Sequence, residues 1–161
     1  MKLKVGLLGG GSWGTTVASL TAKNSSTIIW ARNPKTVEEI NEHHTNEKYL
    51  PNAKLTTSLK ASNSIKETVE EADVIVMGVP AQSFRKVLEE AKPHIRPWIP
   101  IINLAKGLEI STKMRMTEII QELMPGHPAG VLTGPNLARE IHFGNAAAAV
   151  IAMVDNTIAS R

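Results

Sequence analysis

Two rhythms of apolar and polar positions alternate along this chain. Short, nearly continuous apolar runs recur at 5–8, 26–31, 73–80, 99–104, 129–133 and 145–154. Such runs, bounded by glycine, proline or polar residues, have the profile of strands buried on both faces. Between them lie stretches of helical spacing. After the first run comes 15–22, then 36–41 with Val37 and Ile40 three apart and Pro34 at its start, then an acidic stretch over 64–72 whose charges form a solvated face. Residues 81–91 place Phe84, Val87, Leu88 and Ala91 on one side, and 112–124 turn Met116, Ile119, Ile120, Leu123 and Met124 inward until Pro125-Gly126 stops the helix. Pro100 is compatible only with the start of its strand. Strand and helix alternating in this way predict an α/β fold: an open, doubly wound, mostly parallel sheet with helices on both faces.

Composition narrows the class. The 161 residues fit one domain, 1–161, with a real core. No run approaches the roughly 20 apolar residues of a membrane span, and the basic start Lys2-Leu3-Lys4 leads into a stretch broken by glycines with no cleavage site, so membrane insertion and a signal peptide are not expected and a cytoplasmic protein is. The absence of cysteine excludes disulfides, thiolate metal sites and cysteine nucleophiles. His43-His44 reads as a solvated helix end, because adjacent residues do not share a helix face, and no metal site is expected. A net charge of +3 is too small and too evenly spread to imply nucleic acid, but suits an anionic small ligand.

The candidate chemistry sits at the strand ends. Gly9-Gly10-Gly11-Ser12-Trp13-Gly14 reads G-x-G-x-x-G at Gly9, Gly11 and Gly14, directly after the first strand and before the first helix. In that context the glycines serve a tight turn, a close approach to a pyrophosphate and close helix packing, with the helix N-terminus facing the phosphates. After the second strand a carboxylate would select NAD through the ribose hydroxyls; Arg32-Asn33 stands there instead, and an arginine pairs with a 2′-phosphate, so NADP(H) is favoured over NAD(H). Lys106, followed by Gly107, leaves the strand at 99–104 at the ligand-binding edge of the sheet. Gly134-Pro135 turns the chain after 129–133, where Asn136 caps a new helix and leaves N–H groups for a phosphate.

Read together, residues 9–15, Trp30-Ala31-Arg32-Asn33-Pro34, 46–51, Val79-Pro80, Ala105-Lys106-Gly107-Leu108-Glu109 and 134–140 closely resemble the cofactor domain of bacterial NAD(P)-dependent glycerol-3-phosphate dehydrogenase, over essentially the whole chain. The resemblance implies interconversion of sn-glycerol 3-phosphate and dihydroxyacetone phosphate, a step toward glycerophospholipids. It also implies that Ser12, Trp13, Arg32, Asn33, Tyr49 and Ala138 contact the cofactor, that Lys106 touches cofactor and substrate, and that Gly134 and Asn136 lie by the substrate. The family often has Ser or Thr where this chain has Asn136. Its catalytic lysine belongs to a helical C-terminal domain beyond position 161, so the resemblance assigns no catalytic residue here and implies an N-terminal fragment, with a phosphorylated small molecule as substrate and room for a homo-oligomer. Two other readings fit the same nucleotide motifs: the domain of another hydroxy-acid dehydrogenase, or a free-standing NAD(P)-binding sensor or interaction module.

Overall fold

The apolar runs become the strands of a single seven-stranded sheet in the computed structural model, which describes residues 2–135 and 137–160. In chain order the strands are β1 (Lys4–Leu8), β2 (Ser26–Trp30), β3 (Lys60–Ser62), β4 (Val74–Met77), β5 (Ile101–Asn103), β6 (Ala129–Thr133) and β7 (Val150–Met153). The helices are α1 (Ser12–Thr21), α2 (Pro34–Glu38), α3 (Ile65–Val69), α4 (Ala81–Ala91), α5 (Met116–Leu123), α6 (Ala138–His142) and α7 (Asn156–Ala159). The spatial order is β3-β2-β1-β4-β5-β6-β7, parallel except for the last pair. Its first six strands are the doubly wound arrangement, in which the strand order reverses between β1 and β4.

Successive side chains of a strand point to opposite faces, and the central strands use both. Leu8, Ile75, Met77 and Ile101 join Phe84, Leu88, Ile119 and Ile120 in one core beneath α3, α4 and α5. Leu7, Val76 and Ile102 join Val17, Ala18, Ile29 and Ile40 in the other, beneath α1. Of the inward residues expected in α4, all four are buried, and in α5 only Leu123 is half-exposed.

The structure departs from the sequence reading at the margins. β3 has no apolar run of its own, and forms because Lys60, Ala61 and Ser62 pair with Ile28, Ile29 and Trp30 at the edge of the sheet. The helix expected over 112–124 begins only at Met116, since an antiparallel bridge between Leu108 and Arg115 and a left-handed Lys113 (φ 63°) hold the preceding residues in a loop. The strand expected over 145–154 shrinks to β7, which returns after α6 to pair antiparallel with β6, Gly130 opposite Met153 and Thr133 opposite Val150. The helix expected over 64–72 is ordered as α only over α3, capped by the Ser64 hydroxyl, which accepts from the Glu67 N–H.

Candidate cofactor site

The site is built at the carboxyl ends of β1, β4, β5 and β6, where the sheet changes direction. β1 ends at Leu8 and the chain turns at Gly9, whose φ of 130° and whose contact with the Gly78 carbonyl group, 2.6 Å from where a Cβ would stand, admit only glycine. Gly14 is equally confined, since its Cβ would fall onto the Gly9 carbonyl oxygen. Gly11 differs. Its backbone is extended (φ −77°, ψ 179°), a conformation open to any residue, and a Cβ there meets no protein atom within 4 Å. The space beside Gly11 is therefore empty on the side facing out of the fold. α1 starts at that point without a side-chain cap and without an acidic residue in its first turn, so its N–H groups and positive dipole end are left open to an anion.

The other expected residues gather around this turn. The Ser12 hydroxyl donates to the Tyr49 carbonyl, and the half-exposed Tyr49 ring carries the Lys48 ammonium 5.2 Å from its centroid. Arg32 and Asn33 follow β2 on the exposed rim. Among the described residues no carboxylate pairs with Arg32. Asn33 has a structural task as well, since its Oδ1 accepts from the Lys35 N–H at 3.0 Å and caps α2 ahead of Pro34. Ala138 opens α6, which is tied to α1 by the Thr16 hydroxyl donating to the Ala138 carbonyl at 3.2 Å. Asn136 lies outside the described residues.

Trp13, Leu104, Lys106, Thr133 and Gly134 wall a cleft of about 330 Å³ beside α1. Three residues singled out from separate parts of the sequence thus meet in one place: Trp13 from the glycine turn, Lys106 from the end of β5 and Gly134 from the end of β6. The Lys106 Nζ donates to the Gly134 carbonyl at 3.2 Å and is otherwise exposed. A second cleft, of about 300 Å³, lies at the opposite end of the strands beside Glu67, Glu70 and Glu71, where a phosphate would face carboxylates.

Several supporting residues were not singled out in the sequence. Asn103, buried at the end of β5, accepts from the Ala105 N–H at 2.7 Å and donates to the Ala105 carbonyl at 2.9 Å, setting the direction in which Lys106 leaves the strand. Glu109 is buried and takes a two-pronged ion pair from Arg85 of α4, Nε to Oε1 at 2.9 Å and Nη2 to Oε2 at 3.0 Å. The Arg85 hydrogen bonds, followed by that of the Thr112 hydroxyl, hold the Glu109 carboxyl below the usual carboxylate range. Gln82 of α4 donates to the Leu108 carbonyl at 2.8 Å and accepts from the Ile110 N–H at 3.0 Å. The Lys106 loop is thereby fastened to α4 at two points. The available signal was Gln82 and Arg85, one helical turn apart on the polar side of an otherwise regular amphipathic helix. His44 was expected to be solvated, but its ring is half-buried and its Nδ1 has no partner among the described residues. No group of metal-binding side chains occurs among the described residues, and no helix among them is long and apolar enough to cross a membrane.

Strand order, glycine turn and open helix end define a dinucleotide-binding domain of the Rossmann type. Residues 4–159 match the family model described as the NAD-dependent glycerol-3-phosphate dehydrogenase N-terminus, and the chain belongs to that family. It is 58% identical over 158 residues to glycerol-3-phosphate dehydrogenase NAD(P)+ 2 of Sphingopyxis alaskensis, covering 98% of this chain and 47% of the relative. A Mycobacterium avium glycerol-3-phosphate dehydrogenase is 52% identical over 159 residues, with the same coverage. The crystal structure of the Coxiella burnetii glycerol-3-phosphate dehydrogenase superposes with a TM-score of 0.91 at 29% identity, over 99% of this chain and 49% of that one. The chain spans about half the length of the curated relatives it matches.

Proposed function

We propose that this chain is the NADP(H)-binding part of a cytoplasmic glycerol-3-phosphate dehydrogenase acting on a small phosphorylated substrate at the start of glycerophospholipid synthesis. The observation that carries the reading is Gly11, a glycine that no internal contact requires, placed at an uncapped helix end two residues before Trp13 of the Trp13–Lys106–Gly134 cleft. A residue without a side chain is needed there only if something approaches from outside, and the positive helix end specifies that it is anionic. When bound, the nicotinamide exchanges hydride with the carbon bearing the substrate hydroxyl. The chain's own residues then bind and orient: the Gly9–Gly14 turn and Ser12 receive the pyrophosphate, Trp13, Tyr49 and Ala138 line the cofactor, and Lys106 with Gly134 and Asn136 receives the substrate.

Residues 1–161 form the dinucleotide domain in this proposal, and a helical substrate domain occupies the other half of the full-length enzyme. Its docking region is supported by the apolar side chains left exposed in the last part of the chain: Leu137, Phe143, Val150, Ile151 and Val154. The β7 sequence has the composition of a buried strand, yet Val150 is 60% exposed. Copies of the isolated chain are expected to associate through the same region.

Arg32 sets the cofactor preference. Its guanidinium stands on the rim with no carboxylate paired to it among the described residues, and a charge-assisted bond to the 2′-phosphate contributes about 1.5–3 kcal/mol before screening, so NADPH should bind roughly tenfold more tightly than NADH. Titration of both cofactors against wild type and Arg32→Glu tests this. The variant should lose the preference, and equal NADPH affinity in the two proteins would remove Arg32 from the site.

A further inference from the structure

The segment after α2 reaches back under the glycine turn. A π-turn over Glu39–His43 and a left-handed His44 (φ 53°) deliver Asn46 there, completely buried. π-turns of this kind concentrate where a chain is redirected for a local purpose. The Asn46 Nδ2 donates to the Gly10 carbonyl at 3.0 Å and to the Thr15 hydroxyl at 2.8 Å. Because the Gly10 carbonyl can only accept, the amide nitrogen must face the turn, and the carboxamide cannot be flipped without opposing two oxygens. Its Oδ1 is left buried with no hydrogen-bond partner among the described residues.

That imbalance is informative. A buried acceptor without a donor is unfavourable, and an apolar side chain of the same shape would serve packing better. The carboxamide works through its NH2 alone, one hydrogen going to the Gly10 carbonyl of the turn and the other to the Thr15 hydroxyl at the start of α1. The segment itself is held firmly. The Glu39 carboxylate accepts from the Thr45 hydroxyl at 2.9 Å and from the Glu47 N–H at 2.7 Å, while the Asn46 carbonyl accepts from the N–H groups of Tyr49 and Leu50. The Ser12 hydroxyl closes the arrangement by donating to the Tyr49 carbonyl on the other side of the turn.

We infer that Asn46 is a positioning residue for the phosphate-binding turn: its buried carboxamide, held by the 39–50 segment, fixes the Gly10 carbonyl and Thr15 so that the turn has its binding shape before a pyrophosphate arrives. Preorganisation of this kind raises affinity by removing the ordering that binding would otherwise require. The inference rests on the dinucleotide reading above, and its effect must be confined to ligands that carry the pyrophosphate.

Three ligands separate the roles: NADPH and ADP-ribose, which contain the pyrophosphate, and 2′-AMP, which does not. In Asn46→Leu the orphaned Oδ1 vanishes but the Gly10 carbonyl and the Thr15 hydroxyl lose their donor, so the unliganded variant should stay folded and melt a few degrees below the wild type. Its affinity for NADPH and for ADP-ribose should fall about tenfold, with 2′-AMP unchanged within about twofold. Thr15→Val removes one of the two acceptors at constant shape and should give a smaller loss, about threefold, with the same ligand dependence. Wild-type affinity for NADPH in both variants, or an equal loss for all three ligands, would overturn the inference. A wild-type chain that binds none of the three would overturn the dinucleotide reading itself, and this inference with it.

Discussion

Gly11→Ala should leave the unliganded chain as stable as the wild type while weakening NADPH binding at least about tenfold, whereas Gly14→Ala should damage both. The difference follows from what each added methyl group meets. At Gly11 the backbone is already extended and no atom lies within 4 Å, so alanine introduces neither strain nor collision within the protein. The methyl group does occupy the space through which a pyrophosphate must approach the start of α1, and even partial withdrawal of the phosphates from those N–H groups forfeits charge-assisted bonds. At Gly14 the methyl group lands on the Gly9 carbonyl oxygen, which is itself held against Gly78. Either α1 moves away from β1 or the turn opens. Overpacking of this kind costs about 1–3 kcal/mol, equivalent in a chain of this size to a fall of about 3–10 °C in melting temperature. Thermal melting of both variants, followed by calorimetric titration with NADPH, resolves the two effects. Normal NADPH binding by Gly11→Ala would move the pyrophosphate away from this turn.

With cofactor present, the isolated chain should reduce dihydroxyacetone phosphate at least about 10²–10⁴-fold more slowly than a full-length dehydrogenase of the family. Interconversion of a hydroxyl and a carbonyl requires a group that takes or gives a proton within hydrogen-bond reach, and a positioned acid–base residue is worth about that factor. Around the described cleft Lys106 is the one ionisable side chain, and it is exposed and directed at the Gly134 carbonyl. Its place suits holding the substrate, not exchanging its proton. The missing group is proposed to reside in the helical half, together with the remaining walls of the substrate cleft, whose absence loses positioning as well. Following NADPH absorbance at high protein concentration measures this directly. Turnover at the rate of an ordinary dehydrogenase would mean that these 161 residues carry their own proton-transfer group.

Most of the scaffold was legible because the central strands are buried on both faces and the long helices on one. β1, β2 and α4 stand out by apolar pattern alone, and the glycine turn by the fact that backbone contacts, visible in sequence only as missing side chains, require it. What escaped depends on partners distant in sequence. β3 exists through its pairing with β2, and the direction of β7 is set by its fold-back onto β6. Asn103 and Asn46 read as ordinary strand-end and loop residues, and only the fold places one against the backbone of Ala105 and the other under Gly10. In the sequence Glu109 reads only as the end of the 105–109 segment, and the fold brings Arg85, 24 residues earlier, onto it. The chemistry of the site was thus readable at positions that face the ligand from the strand ends, and hidden where a side chain's work is to hold another segment still.

Dinucleotide binding by this domain is measured most directly by a calorimetric titration of the 161-residue chain with NADPH, with NADH and free phosphate as competitors. A saturable, stoichiometric isotherm with a Kd on the order of micromolar, displaced more weakly by NADH and hardly at all by phosphate, is the expected result. A folded chain that gives no heat and no displacement with NADPH up to about millimolar concentration would contradict it.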